Sequence, residues 1–267
     1  MKIAVWKTGH EIADTVADAL IEGINGINSS ESRSDVYHIG HESAHGDSDA
    51  YNISIAYGIL RGTGEVFKRS KHWFNIDNGY FNPGHFDGYY RISYKGTQAK
   101  WHDDIPQQSI DFKLEDWKPL SGKILVCPPT GAVSNFFNIT PEDLWNKYIA
   151  GPMNKYGKGN CILRTKLSQE PIDWGSVLGV ITFNSSIGWQ ALQRGIPVYS
   201  DPDHSIIGSY YKAKMNNPID FLSDEYRAID REPVFRAMAA HQFKLSEISE
   251  GKAWNLINYY LSRENKI

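Results

Sequence analysis

The run Val180 to Val198, VITFNSSIGWQALQRGIPV, sets Asn184, Ser185 and Ser186 between an apolar strand pattern and a helical one. Where a strand turns into a helix, the first backbone N–H groups lack intrahelical partners, so such residues can gather donors around a phosphate. The same three residues serve equally well as a plain helix cap. Gly188 lets a ligand or a neighbouring backbone come close, and Gly195-Ile196-Pro197 forces the chain straight into the next strand. Upstream, the strand pattern Asn160 to Thr165 leads into Lys166, and alternation along it would aim Arg164 and Lys166 the same way, either onto one phosphate or into solvent. Thr130 and Gly131 follow the strand Lys123 to Cys127 and are weaker candidates for the same crevice, because ligands collect at the carboxyl ends of sheet strands.

A second group of residues suits proton transfer. Asp77 ends the apolar strand Trp73 to Asp77 just before Asn78-Gly79, where a carboxylate at the rim of a sheet can take a proton from a hydroxyl. It could equally do no more than cap that turn. His85 and Asp87 flank the same loop as reserve catalytic candidates, and Arg91 could bind a phosphate. Asp201-Pro202-Asp203 offers a carboxylate pair that can hold Mg²⁺ or Mn²⁺, although proline suits a turn better. His38, His41, His45, Asp47 and Asp49 share a polar loop whose spacing fits no standard metal site, so no metal is expected.

Strand and helix patterns alternate twice. The first series runs from Lys2–Trp6 through a helix with Ile12, Val16, Ala19 and Leu20, closed at Gly23 and Gly26, to strands at Val36–Ile39, Ile53–Leu60, Trp73–Asp77 and Gly88–Tyr94. Asp103 to Gly122, with its prolines and weak periodicity, is the expected linker. The second series has strands at 123–127, 160–165, 179–183 and 196–199, a helix started by Thr140-Pro141, and a helix from Ser186 to Arg194. Helices at Pro233–His241 and Ser246–Leu261 close the chain. Such alternation predicts an α/β protein with a parallel or mixed sheet, divided as 1–119, 120–230 and the C-terminal helices 231–267.

Composition narrows the class. With 267 residues, 41% hydrophobic and 22% charged, the chain has the make-up of an ordinary globular protein, and no apolar run approaches a membrane span. The short apolar start lacks a secretory signal's length, which gives a cytoplasmic expectation. Cys127 and Cys161 have no metal or redox spacing and read as buried thiols. Residues 1–60 hold three Lys/Arg against nine Asp/Glu, whereas residues 61–101 hold seven against three amid many aromatics. Cations and rings together suit a polyanion with exposed bases or a sugar ring, unless the rings fill a core.

The stretch NSSIGWQALQRGIPV resembles the nucleotide-sugar-binding half of GT-B glycosyltransferases, especially capsule-polysaccharide-type enzymes, which carry a similar Asn/Ser-Ser-x-Gly-x-x-Ala-Leu-x-x-Gly-x-Pro-Val element. HWFNIDNGYF, GYYRISYKGTQ and the element from Gln242 to Trp254 are similar to uncharacterised phage-associated proteins that pair this arrangement with a GT-B-like second half. The resemblance implies two Rossmann-like lobes of compact GT-B type with the C-terminal helices crossing between them. It implies a metal-independent transferase with no tightly bound cofactor, its co-substrate a nucleotide-diphosphate sugar. Donor contacts would come from Thr130, Gly131, Arg164, Lys166, Asn184, Ser185, Ser186 and Gly188, and acceptor contacts from His10, Arg61, Tyr80 and Arg91. The favoured acceptor is a 5-hydroxymethylated pyrimidine in phage DNA, which makes DNA a candidate partner, and a surface polysaccharide precursor is the alternative. Typical members are longer, and no acidic residue after Ser200 matches the one that contacts the donor ribose. A non-catalytic DNA-binding protein would keep the basic aromatic stretch without needing Arg164 or Asn184, while a nucleotide-sugar epimerase would use the same Rossmann geometry but with a G-x-G-x-x-G after the first strand, where this chain has only Thr8-Gly9-His10.

Overall fold

The structure, a computed structural model, describes residues 2–27, 33–38, 52–84 and 87–264, with the backbone alone for 2 and 33–38. The strands are β1 (Lys2–Lys7), β2 (Arg33–His38), β3 (Ile53–Tyr57), β4 (His72–Asn78), β5 (Tyr89–Tyr94), β6 (Lys123–Cys127), β7 (Cys161–Leu163), β8 (Val177–Thr182), β9 (Val198–Ser200) and β10 (Gln242–Lys244). The helices are α1 (Glu11–Ile27), α2 (Thr63–Arg69), α3 (Gly131–Phe136), α4 (Pro141–Trp145), α5 (Gly151–Tyr156), α6 (Ser186–Gln193), α7 (Ile206–Lys214) and α8 (Asp224–Ala228). The last are α9 (Glu232–Ala240), α10 (Leu245–Ser249) and α11 (Lys252–Glu264). The chain forms two compact units, one of Met1–Ala99 with Met238–Ile267 and one of Lys100–Ala237.

Unit 1 is built on a six-stranded mixed sheet in the order β10-β5-β4-β3-β1-β2. The strands from β4 to β2 pair in parallel, while β5 and β10 add antiparallel. Alternate residues Ile3, Val5, Ile53, Ile55, Phe74, Ile76, Tyr90 and Ile92 form a buried cluster with apolar residues of α1, α10 and α11. The other face carries Ala4, Ser54, Ala56, Asn75 and Ser93, with the large buried ring of Trp6 among these small and polar residues. The expected stop of α1 at Gly23 does not occur. A Cβ at Gly23 would lie 2.2 Å from the Ile248 carbonyl oxygen, so this glycine permits the close crossing of α1 and α10 instead of ending a helix. The C-terminal segment is likewise drawn into unit 1, because β10 pairs with β5 and α11 packs into its core.

Unit 2 is an α/β layer around an all-parallel sheet in the order β7-β6-β8-β9. Ile124, Val126, Val180 and Val198 are buried in it, as β-branched residues on a strand covered on both sides should be. Residues 103–122, expected as a linker, instead run along this unit. The Glu115 and Lys118 N–H groups donate to the carbonyls of Gln193 and Gly195, and Arg231 donates to the Glu115 carbonyl while its guanidinium lies 4.2 Å from the Trp117 ring centroid. Backbone hydrogen bonds to segments distant in sequence and a cation–π contact outweigh what the weak periodicity suggested. No helix of the described residues is long and apolar enough to cross a membrane.

Candidate active site

In unit 2 the chain leaves β6 for β7 on one side and returns to β8 on the other. Such a reversal leaves a crevice between the carboxyl ends of two neighbouring strands whose following loops diverge. Here the neighbours are β6 and β8, with Cys127 paired to Thr182 at that edge. The turns that follow carry Thr130-Gly131 and Asn184-Ser185-Ser186. Thr130 caps α3, its side chain accepting from Val133 N–H at 3.4 Å, and Ser185 caps α6, accepting from Ile187 N–H at 3.3 Å. Ser185 N–H donates to Thr182 Oγ1 at 3.1 Å, which ties the turn to the strand end. Asn184 and Ser185 are half-buried and Ser186 is exposed.

The cations come out differently from the strand-alternation expectation. β7 ends at Leu163, and Thr165 and Ser168 then bond each other in a turn: Thr165 N–H donates to Ser168 Oγ and Ser168 N–H to the Thr165 carbonyl. Arg164 stays at the sheet, its N–H donating to the Val126 carbonyl at 2.8 Å, while Lys166 lies exposed on the turn. Arg164 acts electrostatically on Cys127, whose thiol burial pushes up to about 12 against the pull of that guanidinium. Gly188 is buried within the unit: a Cβ there would meet Thr182, Val198 and Ile207 side chains at 3.3 to 3.7 Å, so its smallness serves helix-to-sheet packing.

Around the same edge the structure gathers residues that the motif did not announce. Phe137, Phe183 and His204 form a ring cluster, with His204 4.4 Å from Phe137 and 4.8 Å from Phe183 between centroids. Burial holds the His204 imidazole below its ordinary value despite the nearby Asp201 carboxylate. Asp201 is 2% exposed, and its N–H donates to the Phe183 carbonyl. Its Oδ2 accepts from Lys147 Nζ and from the Tyr148 hydroxyl, each at 2.6 Å, and Oδ1 accepts from Asp203 N–H. Burial works against the Asp201 charge, but these hydrogen bonds outweigh it and lower its pKa. The Asp201/Asp203 pair considered for a metal is thus split, since Asp203 pairs with Lys212 at 3.0 Å. Among the described residues no group of three His, Cys, Asp or Glu is placed to hold a metal ion.

In unit 1 the structure brings Asp77, Arg91 and Tyr80 together. Asp77 and Arg91 sit opposite each other on β4 and β5, with Arg91 Nη2 2.6 Å from Asp77 Oδ2. Arg91, 9% exposed, also donates to the carbonyls of Thr97 and Asn78 and lies over the Tyr80 ring. Tyr80 is 2% exposed and its hydroxyl accepts from Ala99 N–H. Both are therefore interior residues, because a guanidinium and a ring together can satisfy a polar sheet edge. Asp77 keeps about a third of its side chain exposed. Beside it the Tyr57 hydroxyl donates to Asn78 Oδ1, and burial followed by the Asp77 charge pushes this phenol up to about 12. Arg61 is exposed in the β3–α2 loop with a left-handed φ of 58°, and His10 is half-buried after β1 with no hydrogen-bond partner for Nδ1. Asp87 lines a separate groove of about 720 Å³ with Thr15, Asp18, Glu22, Lys244 and Ser246. His85 and the loop from His41 to Asp49 lie outside the described residues, as does the His38 side chain.

Of the described rings in the aromatic stretch, four are buried and five half-buried. Phe67, Phe74, Tyr80 and Tyr90 are buried, Trp73 stacks on Phe67 and Tyr94 on Tyr260. The four buried rings offer no platform for bases.

No family model matches the chain, and no curated protein matches it. Among solved structures it is similar to one described as Thermosulfurimonas dismutans KpsC, beta Kdo 2,7 transferase, at 10% identity and a TM-score of 0.44, over 96% of this chain and 99% of that chain. A likeness this loose assigns no activity.

Proposed function

We propose that the chain is a glycosyltransferase of GT-B type whose unit 2 binds a nucleotide-activated sugar. The observation that carries this reading is the pairing, at the reversal point of an all-parallel sheet, of the capped turns after β6 and β8, with Arg164 at the adjoining strand end. Helix-start N–H groups, hydroxyls and a guanidinium there suit a phosphate. The motif NSSIGWQALQRGIPV supplies the link to nucleotide-sugar enzymes.

In this reading the acceptor oxygen attacks the anomeric carbon, the bond from that carbon to the donor phosphate breaks, and unit 2 stabilises the departing phosphate. The acceptor proton passes to a carboxylate, with Asp77 the first choice; its Oδ2 pairs with Arg91 and its Oδ1 accepts from Asn78 N–H. Hydroxymethylated DNA and a polysaccharide precursor are the acceptors to compare. Burial of Phe67, Phe74, Tyr80 and Tyr90 removes those four rings from the stacking surface that a DNA acceptor was expected to use.

Thermal unfolding with mono- and diphosphates of uridine, guanosine, cytidine and adenosine, and with their sugars, tests the donor half. A ligand at about 100 times its Kd contributes roughly 2.7 kcal/mol, enough to raise Tm visibly. Loss of the shift in Arg164→Ala and Asn184→Ala supports the reading. A wild type that no nucleotide stabilises overturns it.

A further inference from the structure

Lys147 belongs to a part of unit 2 that no sequence motif marked. Between α4 and α5 the helical stretch widens into a π-helical turn, Asn146–Ala150, closed by Gly151 N–H donating to the Asn146 carbonyl. Two local features explain the widening. Pro152 has no N–H for the Tyr148 carbonyl and its ring would crowd that carbonyl in a regular α-helix. A side chain at 151 would place its Cβ 2.4 Å from the Asn146 oxygen, which glycine avoids. Single π turns of this kind recur at functional sites, because the extra residue re-aims the side chains around it.

In this turn both Lys147 and Tyr148 reach the same oxygen of Asp201. Asp201 follows β9 and is bonded through its backbone to Phe183, the residue before Asn184. The Tyr148 ring meets the Phe183 ring edge-on at 5.8 Å. Lys147 is thereby fixed at the carboxyl edge of the sheet, beside the start of α6. Its partner carboxylate is 3% exposed, yet the lysine side chain is 50% exposed. An ammonium has three N–H donors, and the single Asp201 oxygen engages only part of that capacity while preventing the long side chain from wandering.

We infer that Lys147 is a phosphate-binding residue of the unit 2 crevice, pre-positioned by the π-helical turn and by Asp201. The inference rests on the donor reading of unit 2 and adds to it a cation that the Arg164/Lys166 motif does not contain. Asp201 then acts as a positioning residue, and Tyr148 as a support for its carboxylate.

Calorimetric titration tests this at a temperature well below the melting point of each variant. The probes are the mono- and diphosphates of the four nucleosides, each compared with its uncharged nucleoside. Lys147→Met is expected to weaken the phosphorylated forms about tenfold or more, the size of a lost charge-assisted hydrogen bond, and to leave nucleoside affinity unchanged. Lys147→Arg is expected to keep most of the affinity, and Tyr148→Phe to stay within about twofold of wild type. Wild-type affinity for phosphates in Lys147→Met, or an equal loss for phosphates and nucleosides, overturns the inference. A wild type that binds none of the nucleotides overturns instead the donor reading beneath it.

Discussion

Lys147 Nζ and Asp201 Oδ2 lie 2.6 Å apart, one on a half-exposed side chain and the other on a carboxylate closed off from solvent. The two ends of this ion pair are unequal in what their removal leaves behind. Lys147→Met leaves a buried carboxylate with only the Tyr148 hydroxyl and one backbone N–H, and is expected to cost about 2 kcal/mol, against a few tenths for an ordinary exposed lysine. Adding Asp201→Asn should recover part of that loss, because no charge is then left without a counter-ion. Urea unfolding of the two single variants and the double variant measures the coupling. A Lys147→Met cost within about 0.5 kcal/mol would show that the pair does not support the unit.

Stability should fall on the acid side for two separable reasons. The folded pKa values of Asp201 and His204 both lie below the ordinary ones. A depressed folded value contributes stability above the unfolded pKa, and this is lost as pH falls through the folded one. His204 acts first, as pH drops below its ordinary 6.5, and Asp201 further down, below 3.8. Lys147 has a raised value and works in the opposite sense, so its contribution is lost only as pH rises through that value in the alkaline range. His204→Phe should flatten the upper part of the acid limb in a Tm-against-pH series. An unchanged limb would remove His204 from the account.

Ser185 should matter to both stability and binding. Ser185→Ala removes the acceptor for Ile187 N–H and is expected to cost about 1 kcal/mol, whereas Ser185→Gly should cost only a few tenths. If the crevice binds phosphate, the alanine variant also binds the stabilising nucleotide more weakly. Equal unfolding midpoints for the two variants would mean that the cap contributes little.

Two glycines of the NSSIGWQALQRGIPV motif should respond unequally to alanine. Gly188→Ala meets side-chain atoms at 3.3 Å and beyond, which small adjustments accommodate, so its cost should stay below about 1 kcal/mol. Gly195 has a φ of +68°, and a Cβ there would lie 1.9 Å from the Asp116 carbonyl oxygen. Gly195→Ala should therefore cost several-fold more and loosen residues 115–118. Protease sensitivity near Trp117 is the direct readout, and similar behaviour of the two variants would contradict the close approach.

Local chemistry wrote several features plainly into the sequence. Thr140 caps α4 with Pro141 at its first position, Ser185 caps α6, apolar alternation marks β4 and β5, and short apolar runs mark β3, β6 and β8, because caps and apolar patterns depend on neighbours along the chain. Where long-range contacts compete with local preference, the tertiary structure decided. Gly23 continues a helix because α10 crosses there, and residues 103–122 bind along unit 2 because carbonyls and Arg231 from distant segments hold them. Arg91 became an interior residue because Asp77 sits opposite it in the sheet register, and Tyr80 because the Arg91 guanidinium and Ala99 N–H meet its ring and hydroxyl. Asp201 could be read as a turn residue or a metal ligand until Lys147 and Tyr148, far back in the chain, were brought to it by a π-helical turn. The sequence by itself determined the α/β alternation and the capped turn at Asn184–Ser186. Only the fold determined which charged groups share an edge, since that depends on strand order and on contacts between segments remote in sequence.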